Sequence, residues 1–165
     1  MTIKVGDKLP ECTLREYIDE EAEGCSVGPN EFQLADLVKG KRIAIFALPG
    51  AYTPTCSAKH LPGYVEKAAE LKEKIDEIWC LSVNDAFVMG AWGEAQNAEE
   101  ILMLADGNAE FTKLIGLEMD GSGFGMGTRS QRFAIIVEDG VVKYLGIEAP
   151  GEIKVSSADA ILEQL

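Results

Sequence analysis

The feature that constrains this chain most is an apolar run, Ile43-Ala44-Ile45-Phe46-Ala47-Leu48, that empties directly into Pro49-Gly50-Ala51-Tyr52-Thr53-Pro54-Thr55-Cys56. A short unbroken run of this kind reads as a strand buried on both faces, which requires a covering layer above and below it. Beyond the run, Thr53 can serve as an N-cap, and Pro54 falls where proline is favoured, the first helical position. Cys56 then occupies the third helical position. Backbone N–H groups there lack intrahelical partners, and the helix dipole is positive. Both favour a thiolate over a thiol.

The energetics demand one more group. A free thiol is only slightly ionised at neutral pH. A helix N-terminus favours the anion by about 0.3–2 kcal/mol, and a charge-assisted bond from one arginine adds about 1.5–3 kcal/mol. A cation from elsewhere in the chain is therefore needed. Arg129 and Arg132, in Thr128-Arg129-Ser130-Gln131-Arg132-Phe133, are the candidates, with solvated arginines ahead of a strand as the bland alternative. Arg132 abuts an apolar strand pattern. His60 lies four residues after Cys56, on the same face of a regular helix. A Cys–His pair would suggest a cysteine hydrolase, but a packing or capping role is favoured for His60.

The rest of the chain supplies the layers. Residues 1–40 look like short strands and loops, with a helical turn at 35–40 stopped by Gly40. The helix leaving Cys56 contains Pro62-Gly63, which should kink or interrupt it. Beyond that, Tyr64, Val65, Ala68, Leu71 and Ile75 recur at helical spacing. Strands are expected at 77–83 and 101–104, and helices at 86–96 and 109–114. The strands 133–137 and 141–145 are joined by the hairpin signal Glu138-Asp139-Gly140. A serine-capped helix is expected over 156–165. This order predicts an α/β fold, a central sheet parallel in its first part, with right-handed crossovers placing helices on both faces. At 165 residues, with no internal repeat or linker, one domain over 1–165 is expected.

Several functions are disfavoured. A net charge of −13 argues against nucleic acid and anionic membranes as partners, but leaves a neutral substrate indifferent. No apolar run reaches the roughly 18 residues of a membrane span. The N-terminus lacks a signal-peptide core, so a cytoplasmic location is the default expectation. Cys12, Cys25, Cys56 and Cys80 form no CxxC or zinc spacing, and His60 is the single histidine. No metal or cofactor is expected. Cys80, within an apolar run, reads as a small buried hydrophobe. The glycine run 121–127 fails GxGxxG and leads towards a strand, so it reads as a loop with Phe124 and Met126 as apolar pocket lining.

Pro49, Thr53 and Cys56 together form P-x-x-x-T-x-x-C. With the wider string 49–57, His60-Leu61-Pro62-Gly63, the stretch 80–88 and Arg132-Phe133, the chain resembles the peroxiredoxins, and within them the peroxiredoxin-5 (type II or D) subfamily. The resemblance implies a thioredoxin-like fold and thiol-dependent reduction of hydrogen peroxide and organic hydroperoxides. It implies Cys56 as the peroxidatic cysteine, Arg132 as the catalytic arginine, Thr53 as the group holding the peroxide, and Pro49 as a shield. Gly50, His60, Phe124 and Arg129 would line the pocket. Loss of His60 would leave most of a peroxidase's activity. Some relatives carry a resolving cysteine where this chain has Val155-Ser156-Ser157-Ala158. The departure favours a one-cysteine cycle completed by glutathione or glutaredoxin, in a homodimer, with thioredoxin-dependent regeneration or a non-catalytic thioredoxin-like redox-sensing module as the alternatives.

Overall fold

The structure, a computed structural model, describes residues 1–17 and 29–165. Cys25 lies outside them. Seven strands form one mixed sheet: β1 (Thr13–Glu16), β2 (Asn30–Gln33), β3 (Arg42–Ala47), β4 (Glu77–Ser82), β5 (Leu102–Ala105), β8 (Phe133–Glu138) and β9 (Val141–Ile147). Their order is β2-β1-β5-β4-β3-β8-β9. β3, β4 and β5 run parallel, while β8 and β1 flank this trio antiparallel. The remaining two strands, β6 (Glu118–Asp120) and β7 (Thr128–Ser130), form a separate antiparallel pair.

The apolar run is continuous because both of its faces are covered. Ala44, Phe46 and Leu48 point into one core, with Leu61, Tyr64, Met89, Trp92 and Ile161. Ile43, Ile45 and Ala47 point into the other, with Leu34, Trp79, Phe111 and Phe133. Each large side chain so buried contributes about 1.5–3 kcal/mol of transfer free energy. Helices α2 (Leu61–Lys72), α3 (Ala86–Ala95) and α5 (Ala158–Glu163) cover the first face; α1 (Leu34–Val38) and α4 (Glu110–Leu114) lie on the second. Helices thus occupy both faces, but not through the crossovers. β3→β4→β5 advances in one direction, so two crossovers of the same hand put α2 and α3 on the same side.

Three local expectations are revised. Pro62 does not break its helix; it sits in the first turn of α2, where its missing N–H costs little. The irregularity falls just ahead of it, as a π turn over Cys56–His60 in which the Leu61 N–H reaches the Cys56 carbonyl. Ser157, not Ser156, caps α5, accepting from the Ala160 N–H. Ala109 adopts a left-handed conformation outside α4, whose first N–H groups are instead taken by the Asp106 carboxylate. The glycine run is the turn of the β6–β7 hairpin, tightened by a bond from the Gly121 N–H to the Gly127 carbonyl (2.6 Å).

Candidate active site

Parallel strands β3 and β4 end side by side, and the loops leaving their carboxyl ends build the site, as expected for an α/β sheet. The β3 loop turns at Tyr52, which takes a left-handed φ of 63°. Asn84, just past β4, pins it: its Oδ1 accepts from the Ala51 N–H (2.9 Å) and from the Ser82 hydroxyl (2.7 Å). The helix then starts after Thr53, with the Ser57 N–H donating to the Thr53 carbonyl (2.9 Å). Trp92 of α3 fixes this first turn from below by donating from Nε1 to Ser57 Oγ (3.0 Å). Asn84 and Trp92 were not legible as site residues. The available clue was Asn84's place at the same sheet edge as Pro49.

Cys56 falls in the first helical turn and is 1% exposed. The Thr53 side chain does not cap the helix; its hydroxyl donates to the Gly50 carbonyl (2.7 Å). With its proton committed there, the Thr53 oxygen keeps lone pairs for a donor arriving from solvent. Pro49 is half-buried and Gly50 buried on the same loop. A Cβ on Gly50 would stand 3.2 Å from Thr53 and 3.3 Å from Arg129, so the glycine permits the loop to close on both.

The two arginines separate cleanly. Arg132 Nη2 donates to Cys56 Sγ (3.2 Å), and its Nη1 meets His60 Nδ1 (2.7 Å). Arg129 instead donates from Nη1 to the Val83 carbonyl (2.9 Å) and from Nε to the Met126 carbonyl (3.0 Å). It therefore ties the hairpin to the sheet edge. Phe124 is 87% exposed, so its ring faces outward and not into the buried surroundings of Cys56. A three-residue helical turn with a glycine on each side pushes its ring outward. Met126, in contrast, approaches Gly50.

His60 is buried, and both ring nitrogens are occupied. A guanidinium can only donate, so Nδ1 accepts from Arg132; Nε2 then carries the proton and donates to the Ser156 carbonyl (2.9 Å). Burial, opposed by the Ser156 bond and reinforced by Arg132, pulls its pKa down to about 4. A neutral ring with both nitrogens engaged is no base for Cys56, which removes the hydrolase alternative.

Of the other thiols, Cys80 faces the same core as Cys56. Burial, followed by the neighbouring Cys56, pushes its pKa well above the ordinary value. Burial, with Asp106 and Glu110 adding, raises Cys12 to about 12. Cys12, Cys56 and Cys80 are free among the described residues.

A family model described as Redoxin matches residues 4–162. Peroxiredoxin-2E-2, chloroplastic, of Oryza sativa subsp. japonica is 48% identical over 169 residues, covering 99% of this chain and 73% of its own. Among solved structures, reduced Prx3 from Vibrio vulnificus in complex with H2O2 is 52% identical with a TM-score of 0.90, over 99% of both chains. Peroxiredoxin 5 from Alvinella pompejana is 31% identical with a TM-score of 0.82, over 98% of this chain and 96% of that one.

Proposed function

The chain belongs to the redoxin family and is a peroxiredoxin with a thioredoxin-like fold, a thiol peroxidase working through a peroxidatic cysteine, and from that premise we propose that Cys56 is that cysteine. The observation carrying the proposal is the Arg132 Nη2–Cys56 Sγ bond at a helix N-terminus. The reading places peroxide with its O–H donating to Thr53 Oγ1 and its far oxygen facing the Arg132 guanidinium. The Cys56 thiolate attacks the near oxygen. An S–O bond forms, the O–O bond breaks, and its electron pair leaves on the far oxygen as hydroxide or alkoxide, stabilised by Arg132 and first-turn N–H groups. The sulfur is oxidised to a sulfenic acid and the peroxide reduced. Pro49 limits water at the sulfur. Hydrogen peroxide and alkyl hydroperoxides are neutral, so the −13 charge does not repel them.

The finer reading is a peroxiredoxin-5-type enzyme with a one-cysteine cycle, in which glutathione or glutaredoxin reduces the sulfenic acid. Supporting it are the likeness to the Alvinella protein, a C-terminal part without cysteine after Cys80, and thiols at Cys12 and Cys80 that burial keeps protonated. The test is mass analysis after sub-stoichiometric peroxide with a sulfenic-acid trap. The trap should sit on Cys56 alone. Labelling elsewhere would sink the site assignment, and a disulfide from Cys56 to Cys25 would replace the one-cysteine cycle with an internal one.

The same reading includes a homodimer packed through the loops beside the site, because Tyr52 (56% exposed) and Phe124 (87%) present large apolar surfaces there. Phe124→Asp should convert a dimer into a monomer in analytical ultracentrifugation. An unchanged sedimentation coefficient would count against this surface.

A further inference from the structure

We propose that His60 is the positioning residue for Arg132, and that it is itself held by the segment 154–156, which Glu148 clamps; the inference rests on the peroxidase reading above. The chain of contacts is continuous. Cys56 Sγ accepts from Arg132 Nη2, and His60 Nδ1 accepts from Nη1. His60 Nε2 donates to the Ser156 carbonyl, which also accepts from Tyr64 Oη (2.7 Å). Glu148 in turn accepts from the backbone N–H groups of Lys154 and Val155 and from Ser156 Oγ (2.9 Å).

The physical need for such a holder is plain. An arginine has several rotatable bonds and loses side-chain entropy when fixed. A single bond to a sulfur does not define the plane of its guanidinium. A second bond from the other terminal nitrogen does, and it must go to an acceptor that carries no charge, so that the cation stays available to the sulfur. A neutral imidazole with its proton on Nε2 meets that requirement, whereas a carboxylate in its place would compete with the thiolate for the cation. His60 is 1% exposed, and Phe46 and Tyr64 pack against its ring (centroids 5.1 and 5.8 Å), so the ring has little freedom to drift. Glu148 extends the control to a segment nearly a hundred residues away in sequence. Burial opposes its ionisation, but the bonds from Val155, Ser156 and Lys154 win and hold its pKa below the usual carboxylate value.

The proposal departs from the expectation that loss of His60 leaves most of the activity, and a double-mutant cycle tests it. Two rates are read: peroxide consumption, and alkylation of Cys56 by iodoacetamide in the absence of peroxide. His60→Ala should slow both by about tenfold, the equivalent of one hydrogen bond to a charged group. On an Arg132→Gln background, the same substitution should change either rate by less than about twofold. His60→Gln, which offers an oxygen to Arg132 and an N–H to Ser156, should restore most of the loss. Glu148→Gln should give a smaller loss that likewise vanishes on the Arg132→Gln background, and it serves if His60→Ala fails to fold. Equal losses with and without Arg132, or no loss in either His60→Ala or Glu148→Gln, would overturn the proposal. If the unsubstituted protein consumes no peroxide, the peroxidase reading fails, while the alkylation cycle still decides whether His60 acts through Arg132.

Discussion

Arg132→Gln is expected to slow peroxide reduction by about 10²–10³, the loss typical of removing one preorganised donor from a developing oxyanion. The effect should exceed that of any other substitution outside Cys56, because one side chain serves two stages. Before reaction its Nη2 donates to the sulfur; during reaction the same guanidinium faces the departing oxygen. Glutamine keeps a donor but removes the positive charge, so both the attacking anion and the leaving anion lose their counter-charge. Arg129→Gln should cost much less. Its donors are spent on the Val83 and Met126 carbonyls, so its loss loosens the hairpin without uncovering the sulfur. Stopped-flow peroxide consumption by the two variants ranks them, and the reverse order would transfer the role to Arg129.

A second large effect is expected in acid. His60 has a folded pKa of about 4, against 6.5 as the ordinary value. Between those limits the unfolded chain binds a proton that the folded chain refuses. The sign is then fixed: stability is fully present above pH 6.5 and falls as pH drops towards 4. At about 1.4 kcal/mol per pH unit the window is worth about 3 kcal/mol, a large share of the 5–15 kcal/mol typical of a domain. Glu148, held below the usual carboxylate value, acts in the same direction as it takes up its proton. Urea unfolding at pH 7, 5.5 and 4.5 should show the decline, and His60→Gln should flatten it. A free energy independent of pH over this range, or an unchanged slope in the variant, would refute the assignment of a neutral buried ring.

What sequence could and could not disclose follows from these same groups. The strand feeding Cys56 was legible because both of its faces are buried, which leaves no polar position to blur the pattern. The placement of Cys56 in the first turn followed from Thr53 and Pro54 alone. The choice between Arg129 and Arg132 was not open to residues taken locally. The two are three apart in extended chain and so point to opposite sides. Which side meets the sulfur depends on β8 pairing with β3 in the register Ala47↔Phe133. The bonds of His60 were hidden for a related reason: its partners, Arg132 and Ser156, come from the other end of the chain. Thr53 was placed correctly as the residue before the helix, but its hydroxyl turned to the Gly50 carbonyl because the left-handed Tyr52 brings that oxygen within reach.

The widened turn at Cys56–His60 has a consequence for how the molecule can change. It slips the helical ladder by one residue between the sulfur and the long shaft of α2. The aim of Cys56 and the seating of Tyr64, Ala68 and Leu71 against the sheet are therefore set by separate phases of one helix. Deleting a residue within that turn would let a regular spiral run through, and would swing the sulfur away from its guanidinium while leaving the shaft seated.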